Sequence, residues 1–272
     1  MEKRLLFPGC LVFARFQEYE LAAKAVLDRL GIELVDMDGF ACCSSSIVPP
    51  FSSDWINLPA YNLALAESRG MDIVTLCGSC TRSLRLTQQQ LAGDAAQLEE
   101  VNRRLGEVGL EYHGSASVSH IIEILAGKLD KIAARVSRAP ECRVALSTPC
   151  NVIRPSGAMR FDDPWKPRKM RDIVEAAGAT LVDYDLEFEC CGATLMMVDE
   201  EWAIRAARAK LHSALDAGAD LMLVACGNCH LSLGRMQDRL RQDDPELSLP
   251  VMFLPQLVGL ALGIGEEALG LT

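Results

Sequence analysis

Two stretches of equal length decide the fold: Ala22–Cys43, AAKAVLDRLGIELVDMDGFACC, and Met170–Cys191, MRDIVEAAGATLVDYDLEFECC. Each reads as a helix, a glycine stop, a strand and an adjacent cysteine pair. In the first, Leu21, Ala22, Ala25, Val26 and Leu30 recur at helical spacing, Gly31 ends the helix, and Ile32–Met37 reads as a strand. In the second, Ile173, Val174 and Ala177 lead to Gly178 and the strand ATLVDY.

The cysteines extend this match over the chain. The first half carries Cys10, then Cys42-Cys43, then Cys77-Gly-Ser-Cys80. The second carries Cys150, then Cys190-Cys191, then Cys226-Gly-Asn-Cys229, at offsets of 140, 148 and 149 residues. Apolar runs precede each lone cysteine (RLLFPGC, RVALSTPC) and each C-x-x-C (MDIVTLC, ADLMLVAC), and a helix over Glu200–Ala217 stops at Gly218 before the last of these. Agreement at three separate places indicates duplication of one unit. Helices alternating with strands predict an α/β fold of two pseudo-symmetric halves. Each half is expected to have a small, mainly parallel sheet, with loops gathered at the strands' C-terminal ends. The cysteines follow predicted strands, so each half should gather its own set.

The halves are assigned to residues 1–138 and 139–272. Thr87–Gly109, polar and helix-forming, has only a short counterpart, GRMQDRLRQDD, and reads as a helical hairpin inserted in the first half. Val251–Gly265, VMFLPQLVGLALGIG, is too short to span a bilayer and is interrupted by Pro255. It reads as a strand and a packed helix. Within it, Leu257–Leu262 is either core or a partner-docking face.

The chain has 272 residues and a net charge of −10. That balance argues against nucleic acid or an anionic membrane as partner and suits docking to protein. Eleven cysteines with no apolar leader before Cys10 predict a reducing cytoplasm, where cysteine serves metals or redox chemistry rather than disulfides. Structural zinc wants four ligands in a tetrahedron, and five thiolates per half overshoot it. Soft thiolate sets suit iron–sulfur clusters. No G-x-G-x-x-G or Walker sequence follows a strand, so no flavin or nucleotide site is expected here.

The repeated C-x31-CC-x33-C-x2-C and C-x39-CC-x34-C-x2-C patterns resemble the duplicated cysteine-rich (CCG) domain of the B-type subunits of heterodisulfide reductase. The likeness includes FPGC at Phe7–Cys10, NLALAE at Asn62–Glu67, FDDPWKPR at Phe161–Arg168, CCGA at Cys190–Ala193 and CGNCHLSL at Cys226–Leu233. The resemblance implies two noncubane [4Fe–4S] clusters. One would be held by Cys10, Cys42, Cys43, Cys77 and Cys80, and the other by Cys150, Cys190, Cys191, Cys226 and Cys229. It implies reversible conversion between a disulfide and two thiols at facing clusters, with Cys43, Cys80, Cys191, Cys229 and His230 as candidate catalytic residues. A small ferredoxin-like iron–sulfur protein (the C-type subunit) and a flavin-containing one (the A-type subunit) would supply electrons. The alternative is a non-catalytic electron-transfer component of a succinate/fumarate or lactate-type complex, some of which are quinone-linked. A third reading is a zinc scaffold or thiol sensor.

Two positions depart from the family pattern. Ser44 follows the first pair where Pro or Gly is expected; serine can still turn the chain and can donate a hydrogen bond to cluster sulfur, tuning its potential. Asn151 follows Cys150 where His is expected, and an amide cannot deliver a proton as imidazolium does. Cys142 has no first-half partner and reads as a buried small hydrophobe. Cys226-Gly-Asn-Cys229-His230 formally matches a c-type haem motif, but its twin ends in Thr81 and no export signal is seen. Arg154 is expected either to pair with Asp162 or Asp163 or to hold an anionic substrate group. His113, His120 and His212 read as ordinary structural residues.

Overall fold

The computed structural model describes residues 1–45 and 53–272; Ser46 of the CCSSS run lies outside them. Eight strands form two sheets. The first contains β1 (Glu2–Phe7), β2 (Ile32–Val35), β3 (Ile73–Thr75) and β4 (Val118–His120). The second contains β5 (Arg143–Ser147), β6 (Thr180–Leu181), β7 (Leu221–Val224) and β8 (Val251–Phe253). Their orders, β2-β1-β3-β4 and β6-β5-β7-β8, are the same order twice, and every pairing is parallel. The central strands are short apolar runs because both faces are covered. Leu5, Leu6 and Phe7 of β1 and all of β7 are buried. Duplication is therefore visible in the topology as well as in the cysteines.

The expected helices are present. Residues Gln17–Arg29 form one, although Leu21 is half exposed while Tyr19, Ala22, Ala23, Val26 and Leu27 face the core. Lys169–Ala176 and Glu200–Asp216 form the helices expected in the second half. The strand expected over ATLVDY is shorter. After Leu181 the chain leaves the sheet, and Tyr184 turns inward to donate its hydroxyl to the Leu146 carbonyl at 2.6 Å. The inserted hairpin begins earlier than Thr87. One helix runs from the C-x-x-C itself, Gly78–Gly93, and Asp94 caps the next, Ala95–Gly106, accepting from the Gln97 N–H at 2.9 Å. Val251–Gly265 is a strand followed by the helix Leu254–Ala261. Leu257, Val258 and Ala261 are buried, so this segment serves the core. Among the described residues no helix is long and apolar enough to cross a membrane.

The halves exchange their closing helices. Leu254–Ala261, which follows β8, packs on Gln17–Arg29 of the first half. Ile121–Ala126 and Leu129–Ala133, which follow β4, pack on Lys169–Ala176 of the second. Arg85 adds a polar tie, bonding the Val118 carbonyl and Glu123 in its own half and the Met159 carbonyl (2.5 Å) in the other. A second, tighter contact lies at the C-x-x-C turns. A Cβ on Gly78 would sit 3.3–3.4 Å from Pro149, Asn151 and Val152. A Cβ on Gly227 would sit 3.3–3.4 Å from Leu11 and Phe16. The glycine of each C-G-x-C thus lets its helix press on the short helix behind the other half's lone cysteine.

Valine at either glycine overfills this seam. Gly78→Val and Gly227→Val should each cost about 1–3 kcal/mol and lower the thermal midpoint. Gly93→Ala, with nothing within 4 Å of its Cβ, should gain about 0.4–1 kcal/mol. Equal melting temperatures for Gly78→Val and the parent protein would show that the seam is loose.

Candidate functional site

Each cysteine set is assembled from three strand ends. Cys10 opens a short helix three residues past β1, Cys77 follows β3, and the pair Cys42-Cys43 ends the loop after β2. The second set repeats this with Cys150 after β5, Cys226 after β7 and Cys190-Cys191 beyond β6. Three thiols of each set are buried (Cys43, Cys77 and Cys80; Cys191, Cys226 and Cys229). Cys10, Cys42 and Cys190 are exposed at the rim and Cys150 is half-buried.

The sulfurs form a connected run. Cys43 accepts from Cys42 and Cys80, and Cys80 in turn meets Cys77. Cys190 accepts from Cys150 and Cys191, Cys191 meets Cys229, and Cys229 meets Cys226. The Sγ atoms of Cys77 and Cys226 lie 3.9 Å apart and join the two sets. Cys10 sits close enough to act on Cys42 electrostatically. Neighbouring thiols cannot all ionise, so protons concentrate on some and leave others as anions. Donation from Cys42 and Cys80 pulls Cys43 down to about 3. Donation from Cys150 and Cys191 pulls Cys190 down to about 2. Cys229 and Cys77 hold Cys226 well below the ordinary thiol range. Among the described residues no three His, Cys, Asp or Glu side chains converge on a position for a single metal ion. What the fold gathers is an extended sulfur surface.

Three clamps hold each pair, and they recur in both halves. The residue after the pair takes a left-handed conformation, Ser44 at φ +59° and Gly192 at φ +82°. Its N–H points back to the first sulfur of the pair, Ser44 to Cys42 at 3.5 Å and Gly192 to Cys190 at 3.4 Å. Ser44 thus makes the turn that glycine makes in the other half. From the C-x-x-C helix, Ser83 donates to the Cys43 carbonyl and Ser232 to the Cys191 carbonyl, both at 2.5 Å. From the preceding helix, Asn62 accepts from the Ala41 N–H (2.7 Å) and donates to the Ala41 carbonyl (3.1 Å). The equivalent Lys210 donates to the carbonyls of Leu186, Glu187 and Glu189 at 3.0, 2.8 and 2.8 Å.

The structure corrects several expectations. The His230 ring stacks on Phe253 (4.5 Å) and meets Phe16 (4.8 Å), and no thiol is among the groups acting on it. Burial pushes it down to about 4, so it is neutral and faces an aromatic cluster rather than the second cysteine set. Arg154 is exposed, and among the described residues it has no ion-pair partner. Asp162 instead accepts from the N–H groups of Asp163, Arg168 and Lys169, and Asp163 from those of Trp165 and Lys166. Cys142 is half-buried, one residue ahead of β5, and apart from the other ten. Asn151 donates to Ser79 Oγ at 2.9 Å, with Asn228 reaching the same oxygen at 3.4 Å, so it belongs to the seam.

Sequence patterns missed Tyr19 and read His120 only as an ordinary structural residue; both are buried within electrostatic reach of the sulfurs. Tyr19 is fully buried, stacks on Phe253 at 4.1 Å, and has a hydroxyl with no partner among the described residues. Burial and then Cys226, Cys77 and Cys229 raise it far above the ordinary phenol range, so it stays a donor. His120 ends β4, is fully buried, and accepts from the Ile122 N–H through Nδ1. Burial pushes it down to about 4 against the opposing pull of Cys226. A fully apolar-looking helix face hides the first, and the strand-end capping role hides the second.

The cysteine-rich domain family CCG matches this chain twice, over residues 5–85 and 144–234. The B subunit of the ferredoxin/F420H2-dependent CoB-CoM heterodisulfide reductase of Methanosarcina acetivorans is 34% identical, covering 100% of this chain and 93% of that protein. The 8-methylmenaquinol:fumarate reductase membrane anchor subunit of Wolinella succinogenes is 29% identical over 98% of this chain and 94% of its own length. Among solved structures, a hypothetical protein from Helicobacter pylori shares the fold at a TM-score of 0.80 and 18% identity. It covers 99% of this chain, which spans 51% of that one. With the domain duplicated in sequence, topology and clamps alike, the chain belongs to the family of heterodisulfide reductase B-type subunits.

Proposed function

We propose that this chain is the catalytic iron–sulfur component of a heterodisulfide-reductase-type complex, converting a disulfide and two thiols into one another. The observation that carries the reading is the joining of two five-cysteine sets at the Cys77–Cys226 contact. Each half, 1–138 and 139–272, contributes one set: Cys10, Cys42, Cys43, Cys77 and Cys80, or Cys150, Cys190, Cys191, Cys226 and Cys229. The donor chemistry fits. Each set offers five sulfurs, soft thiolate ligands suit iron–sulfur sites and are deprotonated on binding, and among the described residues no position for a single metal ion is formed. Among the described residues the buried Tyr19 and Ser44 hydroxyls have no partner, and Tyr19 lies within electrostatic reach of Cys226, Cys77 and Cys229, which suits a donor to sulfur.

Two noncubane [4Fe–4S] clusters, when bound, supply one electron to each sulfur of the disulfide. The chain's own groups do the rest. The buried thiols anchor, and the exposed Cys10, Cys42 and Cys190 mark the side from which a substrate's sulfurs approach. The clamps from Asn62, Lys210, Ser83 and Ser232 fix the pairs. The two protons needed for two product thiols come from solvent at this rim, since His230 is neutral and turned into the aromatic cluster. Electrons arrive through a small ferredoxin-like partner fed by a flavin-containing one.

A relay without its own chemistry is the second reading. It is favoured by the closed seam, where Asn151 and Asn228 both donate to the Ser79 hydroxyl between the sets, and by an amide at position 151.

Anaerobically purified protein should hold roughly eight irons per chain, four for each cluster, with matching sulfide and little zinc. Cys191→Ser should lose about half of that iron while Cys142→Ser keeps it all. Full iron in Cys191→Ser would overturn the ligand assignment. A thiol titration of the oxidised protein separates catalyst from relay. The catalyst should give a thiol-dependent paramagnetic signal, and an unchanged spectrum would favour the relay.

A further inference from the structure

Asn62 and Lys210 are equivalent residues, on equivalent helices, 148 positions apart, the same offset as the cysteine pairs. Each reaches the residue just before its pair, Ala41 or Glu189. Yet one side chain is a neutral amide and the other an amine on an almost fully buried lysine, 1% exposed. Lys210 Nζ has three carbonyl acceptors within 3.0 Å. Three acceptors match the three N–H bonds of an ammonium. A neutral amine would turn a lone pair on one of those carbonyls.

That ammonium needs a counter-charge, because burying a charge without one is costly. The carboxylate that acts on Lys210, Glu187, is taken up by Arg171 at 2.8 Å, and Arg171 also meets the solvent-exposed Asp183. Burial pulls Lys210 below the ordinary lysine range, and the groups that oppose that pull and favour the charged form are, in order, Cys229, Cys191, Cys190 and Glu187; the ammonium itself is read from the three carbonyl acceptors. Cys42, Cys43, Cys77 and Cys80 are moved by other thiols, by burial and by backbone N–H groups, with no cation among the leading causes. The duplication is therefore broken in charge at the second site.

Resting on the cluster reading above, we propose that Lys210 is a positioning residue that gives the second site a higher reduction potential than the first. Reduction adds one electron and no bond change, and a fixed positive charge beside the thiolates stabilises the added negative charge. The geometry that holds the loop before Cys190 also delivers the charge, so one side chain does structural and electrostatic work.

The test is an anaerobic redox titration of the holoprotein, with dithionite as one-electron donor and paramagnetic resonance as readout. The parent protein should show two separate midpoint potentials. In Lys210→Gln, which keeps an amide donor for the loop but removes the charge, iron content should stay the same. The upper potential should move down towards the lower one, which stays put. Retained iron with an unmoved upper potential would sink the proposal. If Lys210→Gln fails to fold, Cys191→Ser decides. Its surviving first site should titrate at the lower of the two parent values, and a survivor at the upper value overturns the assignment. Parent protein without iron and sulfide would instead remove the cluster reading itself, a separate and recognisable failure.

Discussion

The seam where the C-x-x-C helices meet sets the terms for the rest of the molecule. Two sulfurs, Cys77 and Cys226, come within 3.9 Å across it, and that needs two helix starts to approach with no side chain between them. Gly78 and Gly227 meet the need, each lying against the helix behind the other half's lone cysteine. A methyl group at either position would force the helices apart by tenths of an ångström. Close-packed interiors transmit such shifts, so the shift would pass directly to the sulfurs. The exchange of closing helices secures the same approach from the outside. Leu254–Ala261 on Gln17–Arg29, and Ile121–Ala126 with Leu129–Ala133 on Lys169–Ala176, mean that neither half completes its core alone. Separation of the sulfur sets therefore costs apolar burial at two further places.

Much of this could be read from residues. The cysteine register located both sets and their strand ends, and the helix–glycine–strand pattern located the parallel sheets, because buried parallel strands show as short apolar runs. The clamps were hidden for a physical reason. Asn62 looks like one polar residue on an otherwise apolar helix, and Lys210 like a surface lysine. Only the folded backbone shows that each faces the loop before a cysteine pair. His230 misled in the opposite direction. Its place beside Cys229 suggests chemistry, but a helix turns successive side chains about 100° apart, and the ring goes to Phe16 and Phe253. Arg154 failed as a pair for Asp162 and Asp163 because their carboxylates serve the N–H groups of their own tight loop. Local backbone bonding outcompetes a longer-range ion pair.

Ser44 shows how far local chemistry can vary while the site's geometry is kept. Its left-handed conformation matches that of Gly192, and its N–H keeps the same contact with the first sulfur of the pair. A non-glycine residue in that conformation costs roughly 1–2 kcal/mol. The cost is offset where a turn is over-determined by its surroundings, as it is here by the Ser83 bond to the Cys43 carbonyl and the Asn62 bonds to Ala41. In return the first site gains a buried hydroxyl that the second lacks.

Duplication gives two cysteine sets of like geometry, and with a cluster in each, as proposed, like geometry alone would give them like affinity for electrons. The differences therefore carry the information about direction. They fall on the residues that touch the cysteine loops: Ser44 against Gly192, Asn62 against Lys210, Leu11 against Asn151, and Ser79 against Asn228. Each leaves the sulfur positions alone and changes what surrounds them, by a hydroxyl, a charge or an amide. Sulfur-bound redox centres respond to hydrogen bonds and nearby charge far more readily than to small changes in fold. On the proposed reading, a pair of sites divided in this way holds its geometry symmetric for a two-sulfur substrate while keeping its electrostatics unequal for one-electron delivery. The second requirement does not conflict with the first, because the clamps act on the backbone while the charge acts through space.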